Sequence, residues 1–118
     1  GPFIQYTHAR IKSILRKAGS VDITVPDVEF SAKEIRLIKL LNSYPQKIQE
    51  AAREYSPAIV ANYSYELAKE FNQYYHDTPI LKEEDKAVLA ARLSLIQTVA
   101  SVLSKSMGIL GIKLPERM

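Results

Sequence analysis

The feature that most constrains this chain is the stretch from Glu83 to Leu110. It contains no proline, and no glycine before Gly108. Apolar residues fall at Leu89, Leu93, Ile96, Ala100, Leu103, Met107 and Leu110, at gaps that alternate four and three. That spacing is one buried stripe of a helix. A second stripe runs through Val88, Leu95, Val99, Val102 and Ile109. A helix apolar over so wide an arc has to be surrounded, so the spacing predicts a long central helix with the others packed around it. Glu83, Glu84 and Asp85 stand at its start, where the helix dipole favours negative charge. Gly108 and Gly111 mark its end.

The rest of the chain supplies the surrounding helices. From Phe3 to Ala18, Ile4, Ile11, Ile14, Leu15 and Ala18 share one face, and Gly19-Ser20 closes the segment. The stretch from Val21 to Phe30 holds a proline and three acids without helical period. It reads as a surface loop, in which Val21, Ile23 and Val25 could form a short strand-like piece. Ser31 followed three residues on by Glu34 is a capping box, and Ile35, Leu37, Ile38 and Leu41 then give a short helix. Pro45 suits a first helical position. Ile48, Ala51, Ala52 and Tyr55 predict a third helix. Ser56-Pro57 repeats the pattern, with the serine as cap. A fourth helix follows to Tyr75, closed by Asp77-Thr78-Pro79. The expectation is an all-α fold: a single bundle of about five helices over residues 1–118, with the C-terminal helix at its centre.

Composition narrows the function classes. The 118 residues are 47% hydrophobic and 25% charged, enough apolar content for one globular core. There is no cysteine, which excludes disulfides and thiolate zinc sites. No apolar run reads as approaching the ~20 residues that span a bilayer, and no signal peptide opens the chain. No membrane partner and a cytoplasmic location are therefore expected. Net charge is +3, and its distribution says more than its size. Residues 1–21 carry Arg10, Lys12, Arg16 and Lys17 and no acid. The middle of the chain is acidic. Residues 86–118 carry Lys86, Arg92, Lys105, Lys113 and Arg117 against Glu116. If the two ends meet, they form one positive patch; the alternative is scattered, solvated charge.

Beside the apolar face of the first helix a different set lines up: Phe3, Tyr6, Arg10, Ser13 and Lys17. At about 100° per residue this stripe lies roughly 120° from the apolar one. Rings offer a face for a base to stack on, and cations offer partners for phosphates. The same residues also suit a core edge, with Arg10 in a surface ion pair. Of the adjacent Tyr74 and Tyr75, only one can face a narrow buried stripe, so the other is expected to point outward.

No catalytic constellation emerges. His8 and His76 are the only histidines, without an HExxH pairing or a partner cysteine. His8 reads as a hydrogen-bonded packing residue. Glu83-Glu84-Asp85 reads as a solvated helix start rather than a metal site. No glycine-rich phosphate loop is present.

The opening run GPFIQYTHAR resembles the stretch that opens the C-terminal domain of arginyl-tRNA synthetases, a GPYxQYAHAR-like motif. Leu37 to Pro45 (LIKLLNSYP) resembles the family's next helix and proline break. So does YSYELAKEFNQYY, ending at Tyr75, with Pro79 beyond. Ala91 to Leu95 (ARLSL) is similar to its ARLAL segment, and the terminal LGIKLPERM to its LGI-x-x-PERM ending. The agreement spans nearly the whole chain in order. Three departures stand out: Phe3 where tyrosine is usual, and Thr7 and Ser94 where alanine is common.

The resemblance implies a helical anticodon-binding domain of the DALR type, gripping the anticodon stem-loop of arginine tRNA. It implies the C-terminal domain of a larger enzyme, with the catalytic domain of the same parent chain as partner. ATP would be used there, beside the HIGH-like and KMSK-like signatures, which these 118 residues lack. No cofactor and no catalysis are then expected of this chain itself. The family's aromatic pair falls on Phe3 and Tyr6, its arginine on Arg10, its closing tyrosine on Tyr75 and its terminal methionine on Met118. With Lys17 from the stripe and Arg117 from the basic tail, these form the expected RNA surface. The competing expectation is a helical module that docks on protein without touching RNA.

Overall fold

The computed structural model describes residues 2–19 and 28–111. They form α1 (Pro2–Ala18), α2 (Ala32–Asn42), α3 (Tyr44–Arg53), α4 (Pro57–Asp77) and α5 (Lys86–Ile109), with a 3-10 turn at Ile80–Lys82 between the last two. No strand occurs among the described residues. The all-α architecture and the number of α-helices are those the periodicities predict. No periodicity marks the 3-10 turn. Val21, Ile23 and Val25, and the tail with Arg117 and Met118, lie outside the described residues.

The centre of the bundle is α5, with α1, α2, α4 and the 3-10 turn packed against it. Its first stripe is buried from Leu93 through Met107, and Leu95, Val99 and Val102 of the second stripe are buried as well. The other helices supply Ile4, Ile11, Leu37, Leu67 and Phe71 to the same core. One expectation needs correcting here. At 24 residues, with a mean hydropathy of 1.6 over its most apolar window, α5 is long and apolar enough to cross a membrane. Half of that window is buried against its neighbours, as in the core helix of a bundle.

Two helix starts differ from expectation. The central helix begins at Lys86 rather than Glu83, because Asp85 is its N-cap. The Asp85 carboxylate accepts from the N–H groups of Ala87 at 2.9 Å and Val88 at 3.3 Å. Ser56 occupies the cap position before α4, with Pro57 opening the helix, but its side chain makes no capping bond. The Ser31–Glu34 capping box is present in both directions.

The third helix packs on α4 and buries none of its residues. It was expected to reach Tyr55, yet Tyr55 lies beyond its end with φ 51. The Ser56 N–H bonds to the Ala51 carbonyl at 2.9 Å and the Tyr55 N–H to the Ala52 carbonyl at 3.3 Å. This is the Schellman pattern, with tyrosine at the left-handed position that usually holds glycine.

A buried polar network joins three helices. Glu34, 4% exposed, accepts at Oε2 from the Tyr74 hydroxyl (2.7 Å) and from Arg92 Nε (3.1 Å), while its Oε1 holds the Ser31 N–H (2.7 Å). Arg92 also reaches the Glu83 carboxylate at 3.4 Å. Burial alone would raise the Glu34 pKa, but the hydrogen bonds from Tyr74, Ser31 and Arg92 outweigh it and hold the carboxyl below its ordinary value.

Candidate nucleic-acid interface

Beside α4, α1 runs in the same direction. Phe3 meets Tyr65, Thr7 meets Asn72, and Arg10 meets Tyr75. The polar stripe of α1 lies along this seam because Ile4, Ile11 and Ile14 turn inward on the other face. Phe3 is 40% exposed, Tyr6 45% and Tyr75 38%, so all three rings are open to solvent on one side. Tyr74 is buried and Tyr75 faces out, as their adjacency requires. Lys17 is exposed about two turns beyond Arg10.

Arg10 joins the two helices. Its Nη1 donates to Asn72 Oδ1 at 2.6 Å and its Nη2 to the Tyr6 hydroxyl at 2.9 Å. The guanidinium carbon lies 4.8 Å from the Tyr6 ring centroid and 4.7 Å from that of Tyr75, both within cation–π range. Among the described residues Arg10 enters no ion pair; what it holds is two tyrosines and an asparagine. The Tyr75 ring in turn stacks on buried Phe71, with centroids 6.0 Å apart. Beyond Arg10 opens a cleft of about 580 Å³ lined by Arg10, Lys17, Asn72, Tyr75, His76 and Lys82, with Ile14 and Ile80 among its apolar walls.

Of the seven predicted residues, five are described, and they fall on one face: Phe3, Tyr6, Arg10, Lys17 and Tyr75. Sequence reasoning missed Asn72, His76 and Lys82. A signal existed for the first: Tyr65, Asn72 and Tyr75 are seven and three apart on α4, a polar and aromatic stripe matching that of α1. None existed for Lys82, which the Pro79 turn brings in. The basic C-terminal block also needs correcting. Arg92 is turned inward to Glu34 and Glu83, so its charge is not part of any surface patch.

Half-exposed rings next to cations can stack on unpaired bases and neutralise phosphates. Among the described residues no three of His, Cys, Asp and Glu gather to hold a metal ion.

Residues 4–118 of this helical bundle match the family model of the DALR anticodon binding domain. The chain belongs to that family. Arginine–tRNA ligases of Phocaeicola vulgatus and Flavobacterium psychrophilum are 48% and 50% identical to it, in each case over the whole of this chain. The structure of Thermus thermophilus arginyl-tRNA synthetase superposes on all of it with a TM-score of 0.92 at 36% identity. The chain spans about a fifth of the length of these relatives, covering 20% of each of the two ligases and 21% of the Thermus chain.

Proposed function

We propose that this chain is the RNA-gripping domain of an arginine–tRNA ligase and that its α1–α4 face holds the anticodon stem-loop of an arginine tRNA. The observation that carries this reading is the Arg10 guanidinium set beside two half-exposed tyrosine rings at the mouth of a cationic cleft. Sequence-specific RNA recognition favours unstacked loop bases, which such rings accept. Phe3 extends the aromatic strip, and Lys17 and Lys82 stand where a backbone phosphate would pass. Arg117 and Met118 join this surface on the resemblance alone. The ATP-dependent ligation of arginine belongs to the catalytic domain of the same parent chain, in the cytoplasm, and this chain contributes grip rather than chemistry.

A docking surface is compatible with this reading. At the far end of α4, Tyr55 (93% exposed) and Ile109 (55%) border an apolar hollow of about 400 Å³ with Ile48 and Pro57. It lies roughly 27 Å along the helix from Tyr75, so protein contact there leaves the RNA face open.

Binding of an RNA hairpin carrying an arginine anticodon loop, measured across a salt series, tests the reading. Affinity falls with salt at a log–log slope of about −0.7 per phosphate contact on single-stranded RNA. Tyr6→Ala and Tyr75→Ala weaken it. Unchanged affinity in both variants overturns the assignment.

A further inference from the structure

We propose that Asn72 is the positioning residue of this surface: through Arg10 it sets where the Tyr6 and Tyr75 rings stand before any RNA arrives. The inference rests on the anticodon reading above and adds to it a residue that need not touch the RNA.

The Asn72 amide has one workable orientation. Its Nδ2 donates to Thr7 Oγ1 and to the Ala68 carbonyl, both at 2.8 Å, and its Oδ1 accepts from Arg10 at 2.6 Å. Turning the amide over would set its NH₂ against a guanidinium that only donates, and its oxygen against a carbonyl that only accepts. Thr7 is fully buried, and its hydroxyl donates to the Phe3 carbonyl at 2.8 Å, which leaves a lone pair aimed at Asn72. The bonds therefore run from the α1 backbone through Thr7 to Asn72 on α4, and back to Arg10 on α1.

Arg10 is held at two points, by Asn72 on one nitrogen and the Tyr6 hydroxyl on the other. A planar guanidinium can bond along its edge while its face meets a ring, which a lysine cannot do. Without the Asn72 acceptor, a long side chain with much rotamer freedom keeps, among the described residues, one hydrogen bond to a neutral hydroxyl on its own helix and the less directional contacts with the two ring faces. The spacer shared by Tyr6 and Tyr75 is then lost, and both rings have to be ordered when the ligand binds. Thr7 stands where the resembling motif carries alanine, so this chain adds a second anchor to the amide.

The test uses Asn72→Leu and Asn72→Asp in the 118-residue chain. In the free protein, NMR should find the Arg10 side-chain protons shifted by the two rings. That signature should disappear in Asn72→Leu and persist at least in part in Asn72→Asp, whose carboxylate still accepts from Nη1 and is drawn to the guanidinium charge, although it gives up the bond to the Ala68 carbonyl. Asn72→Leu should bind the arginine anticodon hairpin more weakly, on the order of tenfold. Its salt slope should be unchanged, because no cation has been removed. Should Asn72→Leu fail to fold, Thr7→Val should move the Arg10 signals part of the way in the same direction. The proposal is overturned if Arg10 signals in Asn72→Leu match wild type, if Asn72→Asp loses them equally, if Thr7→Val leaves them in place, or if a variant with displaced Arg10 binds the hairpin as wild type does. If the wild-type chain binds no hairpin, the anticodon reading and the purpose of the alignment fall together. The free-protein spectra then still decide whether Asn72 places Arg10.

Discussion

The hydroxyl of Tyr74 donates to Oε2 of Glu34 at 2.7 Å, across 40 positions of sequence. This bond ties the last turns of α4 to the first turn of α2, and Arg92 fastens both to α5. It also bears on the proposed RNA face. Tyr75 is the next residue, and neighbours on a helix point about 100° apart. With Tyr74 locked inward, Tyr75 faces Arg10 and the cleft.

Removing Glu34 should therefore be costly. Glu34→Ala leaves the Arg92 charge and the Tyr74 hydroxyl without their buried acceptor and takes away half of a capping box. A loss of about 3–5 kcal/mol in unfolding free energy is expected from urea denaturation. Glu34→Gln keeps an acceptor and should lose less. Equal and small losses in both would mean that the network is solvated.

The same carboxylate gives acid sensitivity of a definite sign. Its folded pKa lies below the ordinary value of 4.5. Its contribution to stability is therefore complete above that value and is lost as pH falls through the lower, folded pKa. Melting temperature should decline below pH 4.5 more steeply in wild type than in Glu34→Gln. Parallel curves would remove Glu34 as the source.

Legibility of the sequence followed the range of the interaction. The stripes of α5 and α1 could be read because burial acts at a fixed helical period, and the Ser31–Glu34 box because both partners lie within one turn. The α1 stripe also put Phe3, Tyr6, Arg10 and Lys17 on one edge. Pairings across the bundle could not be read. Arg92 looked like surface charge until α2 and the end of the 3-10 turn placed Glu34 and Glu83 beside it. Asn72 looked like an ordinary polar residue on α4 until α1 brought Thr7 and Arg10 to it. Tyr55 matched the helical period of α3, and the left-handed turn that excludes it is set by where α4 has to start.

That turn predicts a gain from a substitution. Tyr55 holds φ 51 and is 93% exposed, so its side chain offsets little of the strain of a left-handed backbone. Tyr55→Gly should raise stability by roughly 1 kcal/mol, read as a higher melting temperature, and leave RNA affinity unchanged. A loss of stability would show that the ring packs against something in solution.

The central claim is that the seam between α1 and α4 reads an anticodon loop. Its most direct test is an NMR titration of the chain with an arginine anticodon hairpin at low salt. The account predicts saturable shifts at Phe3, Tyr6, Arg10, Lys17 and Tyr75, with α3 and the Tyr55 end silent. Shifts confined to α3, Tyr55 and Ile109, or none at all, would contradict it.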